Sequence, residues 1–224
     1  MIRAVLFDMG GTIAETSGPP KSYKIQKEIL QAHGIRRSLK RVIAADTKVK
    51  KTMDISQMAD FDDYWVKFDL LLLTELEVHE NTLELAKAID KEWWNYVSIE
   101  IYPDVLPVLH TLRDKNVKLG VISNCLRREL ELMLDKIHLE GFFDLEVGVD
   151  TFKRAKPDKE IFLFSLERLK VPTHEALFVG DSTEKDYEGA KNAGLRALLI
   201  DRERRISSRN VETIHRFSEL LEHL

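Results

Sequence analysis

An α/β fold, a Rossmann-like doubly wound parallel sheet with an inserted all-helical domain, is predicted by three features of this sequence. Short apolar runs rich in β-formers recur and alternate with amphipathic helical stretches, the signature of βαβ units with a sheet covered on both faces. The alternation breaks once, from about Ser22 to Tyr96, where only charged amphipathic stretches occur. The residues that follow several of the apolar runs are carboxylates, a hydroxyl and an amide.

Ile2 to Phe7 reads as a buried strand closed by the tight loop Asp8-Met9-Gly10-Gly11-Thr12. Gly18-Pro19-Pro20 marks a linker into the insert. Tyr23 to His33, Lys40 to Lys51, Asp62 to Glu75 and Thr82 to Trp94 each carry apolar residues at helical spacing. Ile101-Tyr102-Pro103-Asp104 is the returning linker. Beyond it, helices at Val105 to Lys115, Leu126 to Ile137, Lys159 to Lys170 and Glu184 to Ala193 are predicted. They alternate with strands at Val117 to Ile122, Leu145 to Val149, Ala176 to Val179 and Leu195 to Ile200. Pro157 is expected at the first position of its helix, which sets Lys156 beside the strand ends. The core therefore comprises residues 1–15 and 98–224, and the insert residues 16–97.

Composition narrows the function classes. The 224 residues are 44% hydrophobic and 32% charged, which excludes disordered and collagen-like chains. A net charge of −4 and a pI near 6.0 leave no basic field, so nucleic acid is not an expected partner. A single cysteine, Cys125, excludes an internal disulfide and a multi-cysteine zinc site. The seven histidines show neither HxH nor HExxH spacing. No leader pattern opens the chain, and the densest apolar stretch, Phe68 to Leu73, contains Asp69 and is too short to span a bilayer. No membrane association is expected, and the expected location is cytoplasmic; a homodimer stays open.

Ligands of open parallel sheets bind at the carboxyl ends of the strands. The residues there are Asp8, Ser123-Asn124, Lys156 in its loop, and Gly180-Asp181-Ser182, with Asp186 about one helical turn further on. Strand-end carboxylates can share a hard cation, and Mg²⁺ takes such oxygen ligands while keeping waters and substrate phosphate. A lysine and a hydroxyl suit the remaining phosphate oxygens, and a carboxylate can itself be a nucleophile. Phosphoryl transfer uses all of these groups.

Four ordered motifs carry a resemblance: Phe7-Asp-Met-Gly-Gly-Thr12, Val121-Ile-Ser-Asn124, Ala155-Lys-Pro-Asp158 and Val179-Gly-Asp-Ser-Thr-Glu-Lys-Asp186. With them the chain resembles the haloacid dehalogenase-like hydrolase superfamily, in the branch with a helical cap after the first strand. The resemblance implies that Asp8 is the nucleophile, Ser123 the hydroxyl binding a phosphoryl oxygen, and Lys156 the neutralising cation. It implies a Mg²⁺ site of Asp8, the Gly10 carbonyl, Asp181 and an outer Asp186. Thr12 and Asn124 are expected to orient the loops and border the phosphate, and the substrate to be a small phosphorylated metabolite.

One position departs from the family's phosphatases, which carry a second Asp where this chain has Gly10. That carboxyl protonates the leaving alkoxide and then activates water, help typically worth about 10²–10⁴ in rate. The resemblance therefore implies a phosphatase weak on poor leaving groups, unless Glu15 or a cap side chain replaces the acid. Its alternatives are a 2-haloacid dehalogenase, whose relatives also lack that Asp but need no metal and usually lack the Gly180-Asp181 pair, and a catalytically weak phospho-ligand-binding protein. A phosphonoacetaldehyde hydrolase would need a cap lysine such as Lys48, Lys50 or Lys51, which read better as a solvated helix face. Trp65, Trp93 and Trp94, with Tyr64 and Tyr96, are expected to pack the insert's own core, and Arg202 to Arg209 to form a solvated loop.

Overall fold

The computed structural model describes all residues except 17, 19, 56–60 and 207–209. Pro19 of the expected first linker and Arg209 of the expected basic loop lie outside the described residues. The chain divides into two compact units, Met1–Glu15 with Ile99–Leu224, and Thr16–Ser98.

In the first unit, a parallel sheet of six strands among the described residues has the order β5-β4-β1-β6-β7-β8. These are β1 (Ala4–Phe7), β4 (Lys118–Ile122), β5 (Leu145–Val147), β6 (Ala176–Gly180), β7 (Arg196–Ile200) and β8 (Thr213–Ile214). β1 is central because its side chains are fully buried, as expected of a strand covered on both faces. Its register aligns Phe7 with Val121 on one side and Val179 on the other. Strand order reverses about β1 and β6, so their carboxyl ends form the topological switch point. The short antiparallel ribbon of β2 (Ala14–Glu15) and β3 (Glu100–Ile101), at the two ends of the insert, was not legible from strand patterning.

The helices of this unit are α5 (Val105–Asp114), α6 (Arg127–Lys136), α7 (Val149–Phe152), α8 (Lys159–Leu169) and α9 (Gly189–Asn192). α5 buries Val105, Val108, Leu109 and Leu112, one stripe at helical spacing. Two expectations need correction. Val149 belongs to α7 rather than to the preceding strand. Pro157 stands ahead of α8 instead of opening it, because the Asp158 side chain caps the helix by accepting from the Glu160 N–H at 3.0 Å.

The second unit contains α1 (Lys21–Ala32), α2 (Leu39–Thr52), α3 (Tyr64–Glu75) and α4 (Thr82–Tyr96), and no strand among its described residues. Ile29, Leu30, Val42, Val49, Phe68, Leu72, Leu73, Ala86 and Ile89 form its interior. Tyr64 is buried there, whereas Trp93 and Trp94 are half-buried and Tyr96 is exposed, so the expected aromatic core is only partly realised. Asp69 is also buried, and burial together with Asp90 and Asp46 holds its carboxyl well above the usual range. No helix among the described residues is long and apolar enough to cross a membrane.

Candidate active site

The loop after β1 is shaped by glycine. Asp8 continues the ladder through its N–H to the Val179 carbonyl at 2.9 Å, and the chain then turns so that Gly11 N–H reaches the Ala14 carbonyl at 2.9 Å. Gly11 has φ +80°, and a Cβ there would run into the Asp181 carboxylate. The backbone of the first strand's loop thus lies directly against a carboxylate from β6's end.

After β6, the Ser182 carbonyl accepts from both Asp186 N–H and Tyr187 N–H, each at 3.1 Å. This widened π-helical turn, Thr183–Glu188, replaces the α-helix predicted from Glu184. It folds Asp186 back so closely that a Cβ on Gly180 would collide with it. Asp186 is 2% exposed, and its Oδ2 accepts from Ser182 N–H at 3.0 Å.

Lys156 closes the site. Its Nζ donates to Asp8 Oδ1 at 2.6 Å and to Asp186 Oδ1 at 2.7 Å, and lies 5.3 Å from the centre of the Phe178 ring. The residue is buried, 3% exposed. Its position is set by Asn124, which follows β4. The Asn124 Oδ1 accepts from Lys156 N–H and its Nδ2 donates to the Lys156 carbonyl, both at 2.8 Å. Asn124 thereby stitches a strand end to the lysine's loop, and its amide is engaged by backbone. Thr12, fully buried, offers its carbonyl to Arg202.

Ser123 is buried immediately beyond β4, the strand adjoining β1. Cys125, two positions on, has its thiol pushed far up by burial and by Glu129, which makes it unreactive at neutral pH.

Asp8, Asp181 and Asp186 each offer an oxygen within 4.8 Å of the others. Burial lifts the Asp8 carboxyl from the ordinary 3.8 to about 7, with Asp186 and Asp181 adding repulsion and Lys156 opposing it. Asp181 is raised too, by burial and then by Asp186. Burial alone would lower the lysine's pKa, but the two carboxylates outweigh it and the ammonium is held above its usual range. One buried lysine thus bonds two of these three carboxylates. An all-oxygen set short of positive charge fits a hard divalent cation.

Sequence reasoning missed a second cluster beside this one. Arg202, just past the end of β7, donates to both Asp104 oxygens at 3.0 and 3.1 Å and to the Thr12 carbonyl at 3.1 Å. Its guanidinium lies 3.9 Å from the centre of the Tyr102 ring. Arg202 is thus a partly buried anchor, correcting the solvated-loop expectation for this residue. Its place at a strand's carboxyl end was the available signal.

A family model described as haloacid dehalogenase-like hydrolase matches residues 2–194. A phosphoglycolate phosphatase of Aquifex aeolicus is 42% identical over 44% of this chain and 46% of its own length. A glyceraldehyde 3-phosphate phosphatase of Methanopyrus kandleri is 29% identical over 90% of this chain and 85% of its own. The crystal structure of a 2-haloacid dehalogenase from Pseudomonas syringae superposes with TM-score 0.78 over 99% of this chain and 97% of its own, at 22% identity, a likeness of fold.

Proposed function

Because this chain belongs to the haloacid dehalogenase-like hydrolases, we propose that it is a phosphatase of small phosphorylated molecules, dependent on Mg²⁺ and working through an aspartyl-phosphate on Asp8. The observation that carries the reading is the juxtaposition of Asp8 with a buried lysine and two further carboxylates at the switch point. Phosphatase relatives acting on phosphoglycolate and glyceraldehyde 3-phosphate support short phosphate esters as the substrate class.

Asp8, Asp181 and the Gly10 carbonyl would hold Mg²⁺. Both oxygens of Asp186 already have protein partners, which suits an outer, water-bridged role. When bound, the cation offsets the charge of phosphate oxygens against the carboxylates. Asp8 attacks phosphorus in line, and the bond to the leaving oxygen breaks. Lys156 opposes the burial that raises the attacking carboxyl's proton affinity and balances charge on the phosphoryl group, while the Ser123 hydroxyl donates to a phosphoryl oxygen. By the family resemblance, residues 16–97 would serve as the cap domain.

Dehalogenation is the second reading, favoured by the missing carboxyl at Gly10. The site's charge argues against it, since a 2-haloacid is itself an anion and would meet three carboxylates. A panel of phosphate esters with and without Mg²⁺, run beside chloroacetate, tests both. Mg²⁺-dependent phosphate release is expected; metal-independent halide release would replace the phosphatase reading with the dehalogenase.

A further inference from the structure

We propose that the Tyr102 hydroxyl is the proton carrier that stands in for the carboxyl absent at Gly10. The role rests on the phosphatase reading, under which an alkyl phosphate must expel an alkoxide that needs a proton.

Backbone pairing brings Tyr102 to the loop that lacks the acid. Gly10 bridges to Ala14, Ala14 pairs with Ile101, and Tyr102 N–H donates to the Ile13 carbonyl at 3.1 Å. The side chain is fixed as well, because its ring stacks on the Arg202 guanidinium at 3.9 Å. That guanidinium is itself held by Asp104 and by the Thr12 carbonyl, two residues beyond Gly10. One arginine thus locks the phenol against the nucleophile's own loop. Burial raises the phenol's proton affinity, Arg202 opposes this, and Glu15 and Asp181 add to it, so it carries its proton at neutral pH. The cation beneath the ring favours the phenolate that forms when the proton leaves.

The step balances with groups already present. As Asp8 bonds to phosphorus, the phosphorus–oxygen bond to the leaving group breaks and the Tyr102 proton passes to the departing oxygen. Water then gives a proton to the phenolate and attacks phosphorus, the bond to Asp8 breaks, and phosphate and the Asp8 carboxylate are released. Glu15 is the competing carrier; it is an exposed residue on the β2 side of the ribbon.

The test compares kcat/KM for 4-nitrophenyl phosphate, whose leaving group needs no proton, with that for glycerol phosphate, whose leaving group does. Wild type, Tyr102→Phe, Tyr102→Phe with Gly10→Asp, and Glu15→Gln are assayed with saturating Mg²⁺. In Tyr102→Phe, glycerol phosphate turnover is expected to fall about 10²-fold more than aryl turnover, the low end of general acid–base help. Gly10→Asp is expected to restore it. A Mg²⁺-induced rise in Tm checks that each variant is folded; if Tyr102→Phe is not, Tyr102→His, which keeps a donor, is expected to hold the wild-type ratio of the two rates. Parallel loss on both esters, no change on either, or selective loss in Glu15→Gln would overturn the Tyr102 role while leaving the phosphatase reading intact. A wild type that hydrolyses neither ester would overturn the phosphatase reading and the Tyr102 role together.

Discussion

The ammonium of Lys156 stands 2.6 Å from the Asp8 carboxylate, a contact between residues 148 positions apart. It also stands 2.7 Å from Asp186, so one buried cation holds together the ends of β1 and β6 and the loop before α8. Removing one partner of a buried pair leaves an uncompensated charge and costs about 3–5 kcal/mol. Lys156→Met is therefore expected to lose turnover and to lower unfolding stability by that order in metal-free buffer, with Mg²⁺ recovering part of the stability. Denaturant unfolding with and without Mg²⁺ checks this.

Asp8 gives a pH dependence of definite sign. Without a cation its carboxyl titrates near pH 7 in the folded protein, against 3.8 ordinarily. The folded state thus binds the proton more tightly, and this residue's contribution to stability falls as pH rises from about 4 to 7. Asp8→Asn removes that dependence. The metal-free Tm of the wild type minus that of Asp8→Asn is expected to decline between pH 5 and pH 8. Saturating Mg²⁺ is expected to raise the wild-type Tm more at pH 8 than at pH 5. Thermal melts across this range decide it.

Gly180 is where a methyl group meets Asp186. Gly180→Ala forces the widened turn outward, at a cost of about 1–3 kcal/mol for overpacking, and is expected to weaken Mg²⁺ binding. Isothermal titration of Mg²⁺ into the variant measures the second effect; unchanged affinity would mean that Asp186 does not order the metal site.

Gly10→Asp in the wild-type background is expected to raise glycerol phosphate turnover, by up to the about 10²–10⁴ that general acid–base help supplies. Steady-state kinetics on glycerol and aryl phosphates check it; a gain on aryl phosphate alone would count against a protonation role.

The core strands were legible because β1, β4, β6 and β7 are buried on both faces and so read as continuous apolar runs. The β2–β3 ribbon was not, since two residues in each strand carry no period. Asp186 was readable by spacing, but its burial depends on a π-helical turn that no propensity encodes. Asn124 is a polar residue at a strand end by sequence, and only the fold reveals that both ends of its amide hold the Lys156 backbone. Arg202 was obscured by its basic neighbours, although its link to Asp104 spans 98 positions.

Acid-quenched mass spectrometry during turnover of 4-nitrophenyl phosphate with Mg²⁺ tests the central claim most directly. The account expects a phosphoryl group on the peptide containing Asp8, absent without the metal and absent, along with turnover, in Asp8→Asn. Undiminished turnover by Asp8→Asn, with no phosphorylated peptide in the wild type, would contradict it.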